Sequence, residues 1–241
     1  MNNTNNQSAR ESFIIAKKVF YNAMRDKFQP GEQGDQKCRQ WVDGLKLSQG
    51  EVRTENLLTT TTTNYRFGVL KSDPNNSNVV PVFNTENRLN PQDTLLVNEM
   101  GIFVGKPASN VDTAWELRSY GSFLDFGAAP GLAINTTLFS HGAFKMGVNN
   151  DVVIPYRGLF NHWYKPQTQN TAAIAAASPD DQLRGAEDGF ITVEPNVLLI
   201  GSKGYVPEII LPTALATVAN AFSRVVIIFR GILAQNSTII S

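Results

Sequence analysis

The chain's groups for acid–base, nucleophilic or metal chemistry are few: two histidines, His141 and His162, one cysteine, Cys38, and 21 Asp and Glu side chains. Neither histidine sits in an H-x-H or H-E-x-x-H spacing, so neither gains a neighbour with which to hold a metal. His141 opens a His-Gly turn, and His162 stands among Phe160, Trp163 and Tyr164; both read as structural. Cys38 lies in the polar stretch QKCRQ with nothing that marks an activated thiolate. A single cysteine also excludes an intrachain disulfide, a zinc knuckle and an iron–sulfur cluster.

The remaining motifs are equally spare. Gly201-Ser202-Lys203-Gly204 lacks the spacing of a phosphate loop and reads as a β-turn between strands. No G-x-S-x-G nucleophile elbow is present. Asp180, Asp181, Glu187 and Asp188 lack the alternation of a Ca²⁺ loop and read as solvated loop charge. Tyr65-Arg66-Phe67 and Phe229-Arg230 set aromatic beside basic side chains, a pattern that stacks on single-stranded nucleic acid, but 21 Lys and Arg against 21 Asp and Glu leave no excess positive charge to hold one. No constellation joins a nucleophile, a base and an orienting group. The expectation is a non-enzyme with no catalytic, cofactor-binding or metal-binding residues.

What must then be explained is an architecture. At 241 residues the chain can bury a substantial core. Its 18 Gly, 12 Pro and 14 Phe residues, among many Asn and Thr, favour a turn-rich all-β protein. Ser8-Ala9-Arg10-Glu11 has the form of a capping box, and Phe13, Ala16, Phe20, Met24 and Phe28 follow at helical spacing up to Pro30. This predicts an amphipathic helix within an N-terminal arm, residues 1–46. Two readings stand for it: docking on its own domain or a neighbouring subunit, or lying on a membrane or internal surface. Neither a secretory core nor a run near 20 apolar residues occurs, which points to a soluble protein made in a cytoplasm.

From residue 47 to 241 the pattern turns to strands. Glu51–Thr60 and Asn64–Lys71 read as a long hairpin. Further strands are expected at Val79–Phe83, Thr94–Val104, Ala114–Tyr120, Thr136–Ser140, Phe144–Val148, Val152–Tyr156, Phe190–Val193, Val197–Ile200, Glu208–Leu211 and Arg224–Leu233, the last buried on both faces. An irregular excursion at about 159–188 interrupts them. Some ten to twelve strands without alternating helices favour a β-sandwich or barrel.

The block RGAEDGFITVEPNVLLIGSKGYVPEIILP, followed by RVVIIFRGIL, resembles the major capsid proteins of small tailless, lipid-containing icosahedral bacteriophages such as those infecting Flavobacterium. VNNDVVIPYRGLFNHWYKPQTQ and EVRTENLLTTTTTNYRFGVL share the likeness, which spans about residues 47–241. The resemblance implies a viral jelly roll, all-β, with the amphipathic helix ahead of it. Strand arithmetic favours a single expanded jelly roll over a compact double one. It also implies a virion structural protein that self-assembles into trimers or other capsomers of an icosahedral shell, with other virion proteins as neighbours and an internal membrane beneath the N-terminal helix. The competing expectations are a minor virion protein at a vertex, as decoration or as a spike, and a carbohydrate- or receptor-binding sandwich using Trp115, Trp163 and Tyr164. The expected assembly contacts are Phe13, Phe20, Met24 and Phe28 in the arm and Phe160, Trp163 and Tyr164 in the excursion.

Overall fold

In the computed structural model, residues 4–25, 30–73, 88–109, 115–119, 126–148, 151–162 and 189–237 are described. Eight strands are named among them: β1 (Lys46–Leu57), β2 (Asn64–Arg66), β3 (Thr94–Gly105), β4 (Ala143–Val148), β5 (Asp151–Gly158), β6 (Phe190–Ile200), β7 (Tyr205–Ile210) and β8 (Arg224–Gln235). They form two four-stranded antiparallel sheets in the orders β1-β8-β3-β6 and β2-β7-β4-β5. The pairs β1·β8, β2·β7, β3·β6 and β4·β5 nest inside one another. Inward side chains of both sheets, including Val97, Met100, Ile102, Ile227 and Phe229 from one and Tyr65, Phe144, Met146 and Ile209 from the other, share one apolar core. Phe144 and Phe229 meet across it at 6.4 Å between ring centroids.

The most apolar strand has the most enclosed place, as its composition requires. Val225, Ile227 and Phe229 of β8 point into the core, while Val226 and Ile228 point outward beneath Trp115, Leu117 and Phe190. Further along, Ile232 and Ala234 lie under two helices, α1 (Thr4–Met24) and α2 (Glu32–Gly44). A bulge between Val97 and Glu99 of β3 shifts the register toward both β6 and β8. It brings the β3 backbone so close to Gly231 that a Cβ there would stand 1.8 Å from the Leu96 carbonyl oxygen.

Several expectations are corrected. Helix α1 begins at Thr4 rather than at the Ser8 capping box. The polar stretch 31–40 becomes the start of α2, because its buried stripe of Gly34, Cys38 and Val42 recurs every four residues with side chains too small to raise the hydropathy. The expected hairpin at Glu51–Lys71 does not pair with itself: β1 and β2 enter opposite sheets. The corner between them is closed by threonines and a tyrosine. Thr59 Oγ1 meets Thr62 Oγ1 at 2.8 Å, and the Tyr65 hydroxyl donates to the Thr59 carbonyl at 3.1 Å.

Thr136–Ser140, expected as a strand, is a π-helix, Ile134–Ser140, that continues the short helix α3 (Ala128–Ala133). Its β-branched residues suggested a strand, but their hydroxyls bond the helix's own carbonyls. Thr136 Oγ1 donates to Leu132 O at 2.8 Å and Ser140 Oγ to Asn135 O at 2.7 Å. Ala114–Tyr120, expected as a strand, is described over residues 115–119, and among these Arg118 alone forms a bridge, exchanging two hydrogen bonds with Val104. Phe190–Val193 and Val197–Ile200 are one strand, β6, whose middle lies opposite the β3 bulge. Val79–Phe83 and residues 163–188 of the excursion lie outside the described residues.

Candidate assembly surface

The two sheets differ in what covers their outer faces. On the β1-β8-β3-β6 sheet, α1 and α2 lie over Leu96, Ile232 and Ala234. Ala16 and Phe20 of α1 are fully buried there, and Phe13 is half-buried beside them. The helices also hold each other: Lys17 Nζ reaches Asp43 at 3.2 Å and Arg25 Nε reaches Asp35 at 3.0 Å. Phe13 and Phe20, expected at contacts between subunits, pack within the chain on this face, Phe20 fully buried and Phe13 partly so. Met24 ends α1 and its side chain lies outside the description, as do Phe28, Trp163 and Tyr164.

The other half of that outer face is closed by a charged cluster. Glu55 of β1, 6% exposed, accepts from Arg53 Nε at 2.7 Å and from Arg224 Nη1 of β8 at 3.0 Å. The Arg53 and Arg224 guanidinium carbons stand 5.1 and 5.9 Å from the Trp115 ring centroid. Trp115 itself rests so tightly on Gly105 that a Cβ there would be 1.9 Å from the indole. Trp115, expected as a sugar-stacking residue in a carbohydrate-binding reading, is partly buried, with the two arginines, Gly105, Val226 and Ile228 among its neighbours.

The β2-β7-β4-β5 sheet keeps apolar side chains in the open. Across β7, β4 and β5 the register aligns Val206, Gly147 and Val152. Val206 is 43% exposed and Val152 55%. Gly147 between them carries no side chain, so the two valines flank a shallow trough. Tyr156, 67% exposed, lies beside Lys145, whose ammonium stands 5.6 Å from its ring centroid. Next along β5, Phe160 sits in the short 3-10 helix Leu159–His162, exposed and folded back over Gly158. Of the expected contact residues within the description, Phe160 is the one that faces solvent. On α1, Ile14 and Ile15 are exposed on the side opposite Ala16 and Phe20. An apolar set of this kind, in rows rather than scattered, marks a surface for another macromolecule.

Sequence reasoning missed Val152, Tyr156 and Val206 as surface groups. In DVVIPYR apolar residues occupy both strand faces, so period-two patterning gives no sign of which face meets water. The rows become visible only through the register of three strands.

Other candidate groups take structural places. Cys38 is buried with its thiol toward the Tyr21 carbonyl, and desolvation with nearby Asp35 pushes its pKa up, away from thiolate chemistry. Gly201–Gly204 is a turn, with Lys203 N donating to Ile200 O at 2.9 Å. His141 Nδ1 meets the Thr136 carbonyl oxygen at 2.6 Å. His162 is 1% exposed and neither ring nitrogen has a hydrogen-bond partner among the described residues. Burial first and Arg157 second lower its pKa to about 3, with the Gly189 backbone acting weakly the other way. Among the described residues no three His, Cys, Asp or Glu side chains group as a metal site, and no helix is long and apolar enough to cross a membrane. The chain matches no protein-family model and no curated protein.

Proposed function

We propose that this chain is a virion structural protein, the major capsid protein of an icosahedral phage shell, built on a single jelly roll. The observation that carries the reading is the nesting of strand pairs, β1 with β8, β2 with β7, β3 with β6 and β4 with β5. That order arises when one long antiparallel hairpin is rolled up so that alternate pairs fall into opposite sheets, giving two Greek keys, an arrangement shared by viral capsid and lectin domains. One shared core between two four-stranded sheets favours the single roll over the compact double one.

A shell subunit works by presenting fixed surfaces to identical neighbours. The rows on β7 and β5 and the Ile14–Ile15 ridge on α1 are the surfaces this reading assigns to that work. Of the stripe expected to face an internal membrane, Ala16 and Phe20 are buried within the chain, while Ile14, Ile15 and Lys18 are exposed on α1 and open to such a contact. A stable contact of standard size needs about 800 Å² from each partner, more than these side chains alone supply, so polar surface around them must join in.

The test is native mass by light scattering with negative-stain images of the same fractions. Trimers, larger capsomers or shells are expected, and Val152→Asp with Val206→Asp should reduce them to monomers with an unchanged circular dichroism spectrum. A strictly monomeric wild-type chain at high concentration across salt and pH would overturn the proposal. Saturable binding of a glycan by that monomer would move the assignment to a carbohydrate-binding module.

A further inference from the structure

At the β1/β2 edge of the sandwich a cleft of about 210 Å³ opens between Glu55, Arg66, Phe67, Gly68, Asp73, Arg88, Tyr205 and Val206. It is below the size of a site for a drug-sized ligand and suits one small polar group. Its unusual member is Arg88, which is 5% exposed. Of its five N–H donors, Nη1 donates to the Asp73 carbonyl oxygen at 3.2 Å, while Nε is buried without a partner. The Asp73 carboxylate does not neutralise it directly: its Oδ2 is occupied by the backbone N–H groups of Val69 and Leu70, at 2.7 and 2.8 Å. Burial pulls the guanidinium pKa down, and Asp73 offsets this only in part.

The other charges around the cleft are matched. Arg66 pairs with Glu208 at 2.7 Å, and Glu55 is shared by Arg53 and Arg224. Of the charged side chains that line the cleft, Arg66 and Arg88 stand with Glu55 and Asp73, and Arg66 and Glu55 are each bonded to a partner outside the lining, Glu208 and Arg224. Arg88 is the one without a carboxylate in contact among the described residues. Gly68 makes the arrangement possible, since a Cβ there would stand 3.1 Å from Arg88 Nη1 and 2.9 Å from Asp73 Cβ. A buried guanidinium with an unpartnered N–H and no carboxylate in direct contact is costly, and an anion entering beside it recovers part of that cost with charge-assisted hydrogen bonds.

We infer that this cleft binds one oxyanion group, a carboxylate or a phosphate, on Arg88. Two sources supply that chemistry: a free small anion, or an Asp or Glu side chain of a second copy of the chain. The probes are inorganic phosphate and acetate, titrated into the full chain at constant ionic strength set with chloride, with thermal midpoint as readout. The wild type should show a saturable rise, on the order of 5 °C at a hundredfold excess over Kd. Arg88→Met should abolish it, and Arg88→Lys, which keeps the charge but loses the fork, should weaken it at least tenfold. An equal response in the wild type and both variants would overturn the inference. Sedimentation of the wild type with and without phosphate then separates the sources. Dissociation of oligomers identifies a neighbour's carboxylate, and unchanged mass with retained binding identifies a free anion. Neither result depends on the shell reading, which is tested by mass in the absence of added anion.

Discussion

Lowering the pH from 8 to 5 should destabilise this protein through His162, and the size of the effect follows from its site. The ring is 1% exposed and lies near Arg157, and the Gly189 backbone offsets these two influences only in part. Folding therefore holds it neutral, moving its pKa from 6.5 to about 3. The unfolded chain takes up the proton first, so stability is complete above pH 6.5 and falls as pH drops toward 3. The slope approaches about 1.4 kcal/mol per pH unit. Integrated, the loss is about 2 kcal/mol at pH 5 and about 3 kcal/mol at pH 4. For a chain of this length the loss at pH 5 corresponds to about 4–8 °C in Tm.

The assay is urea denaturation of the wild type and His162→Leu at a series of pH values from 8 to 5. Leucine has a similar volume and no ionisable group, and it removes two unsatisfied buried nitrogens, so the variant should be at least as stable as the wild type at pH 8. The remaining ionisable groups are present in both proteins and cancel in the difference. The difference curve should open steadily below pH 6.5 in the variant's favour. If the two proteins lost stability in parallel, within about 0.5 kcal/mol over that range, the reasoning about His162 would be wrong.

Two further outcomes follow from packing. Glu55→Gln removes the charge shared by Arg53 and Arg224 and should cost about 3–5 kcal/mol in chemical denaturation, because Arg224 is only 3% exposed and loses its buried ion pair with Glu55; a loss below about 1 kcal/mol would mean the cluster is hydrated in solution. Phe20→Ala removes a fully buried ring from beneath α1, where burial of this kind is worth about 3–5 kcal/mol. The loss should appear as release of the N-terminal helix, read as at least tenfold faster limited proteolysis before residue 30 with little change in the sandwich's melting; unchanged cleavage would contradict docking of α1 on the sheet.

Where the residue pattern had a single physical solution, the sequence was sufficient to find it. Arg224–Gln235 is apolar on both faces and could only be a central strand, and it lies between β1 and β3 with one face in the core and the other under helices. Thr94–Gly105 and Ala143–Val148 were legible for similar reasons, since their side chains alternate or run apolar between clear turns. The lack of a catalytic grouping is an expectation from residue types and spacing alone.

Where the outcome depended on which distant segment supplied a partner, local pattern could not decide. Thr136–Ser140 carries strand-like residues, yet its hydroxyls found carbonyls one turn back and the segment coiled. Helix α2 buries a stripe of glycine, cysteine and valine that only α1 and the sheet make worth burying. Arg88 looks like any surface arginine until Gly68 and Asp73 enclose it. Composition fixes how much apolar surface must be hidden, but the pairing of strands far apart in the chain determines which faces hide it, and therefore which remain for a neighbour.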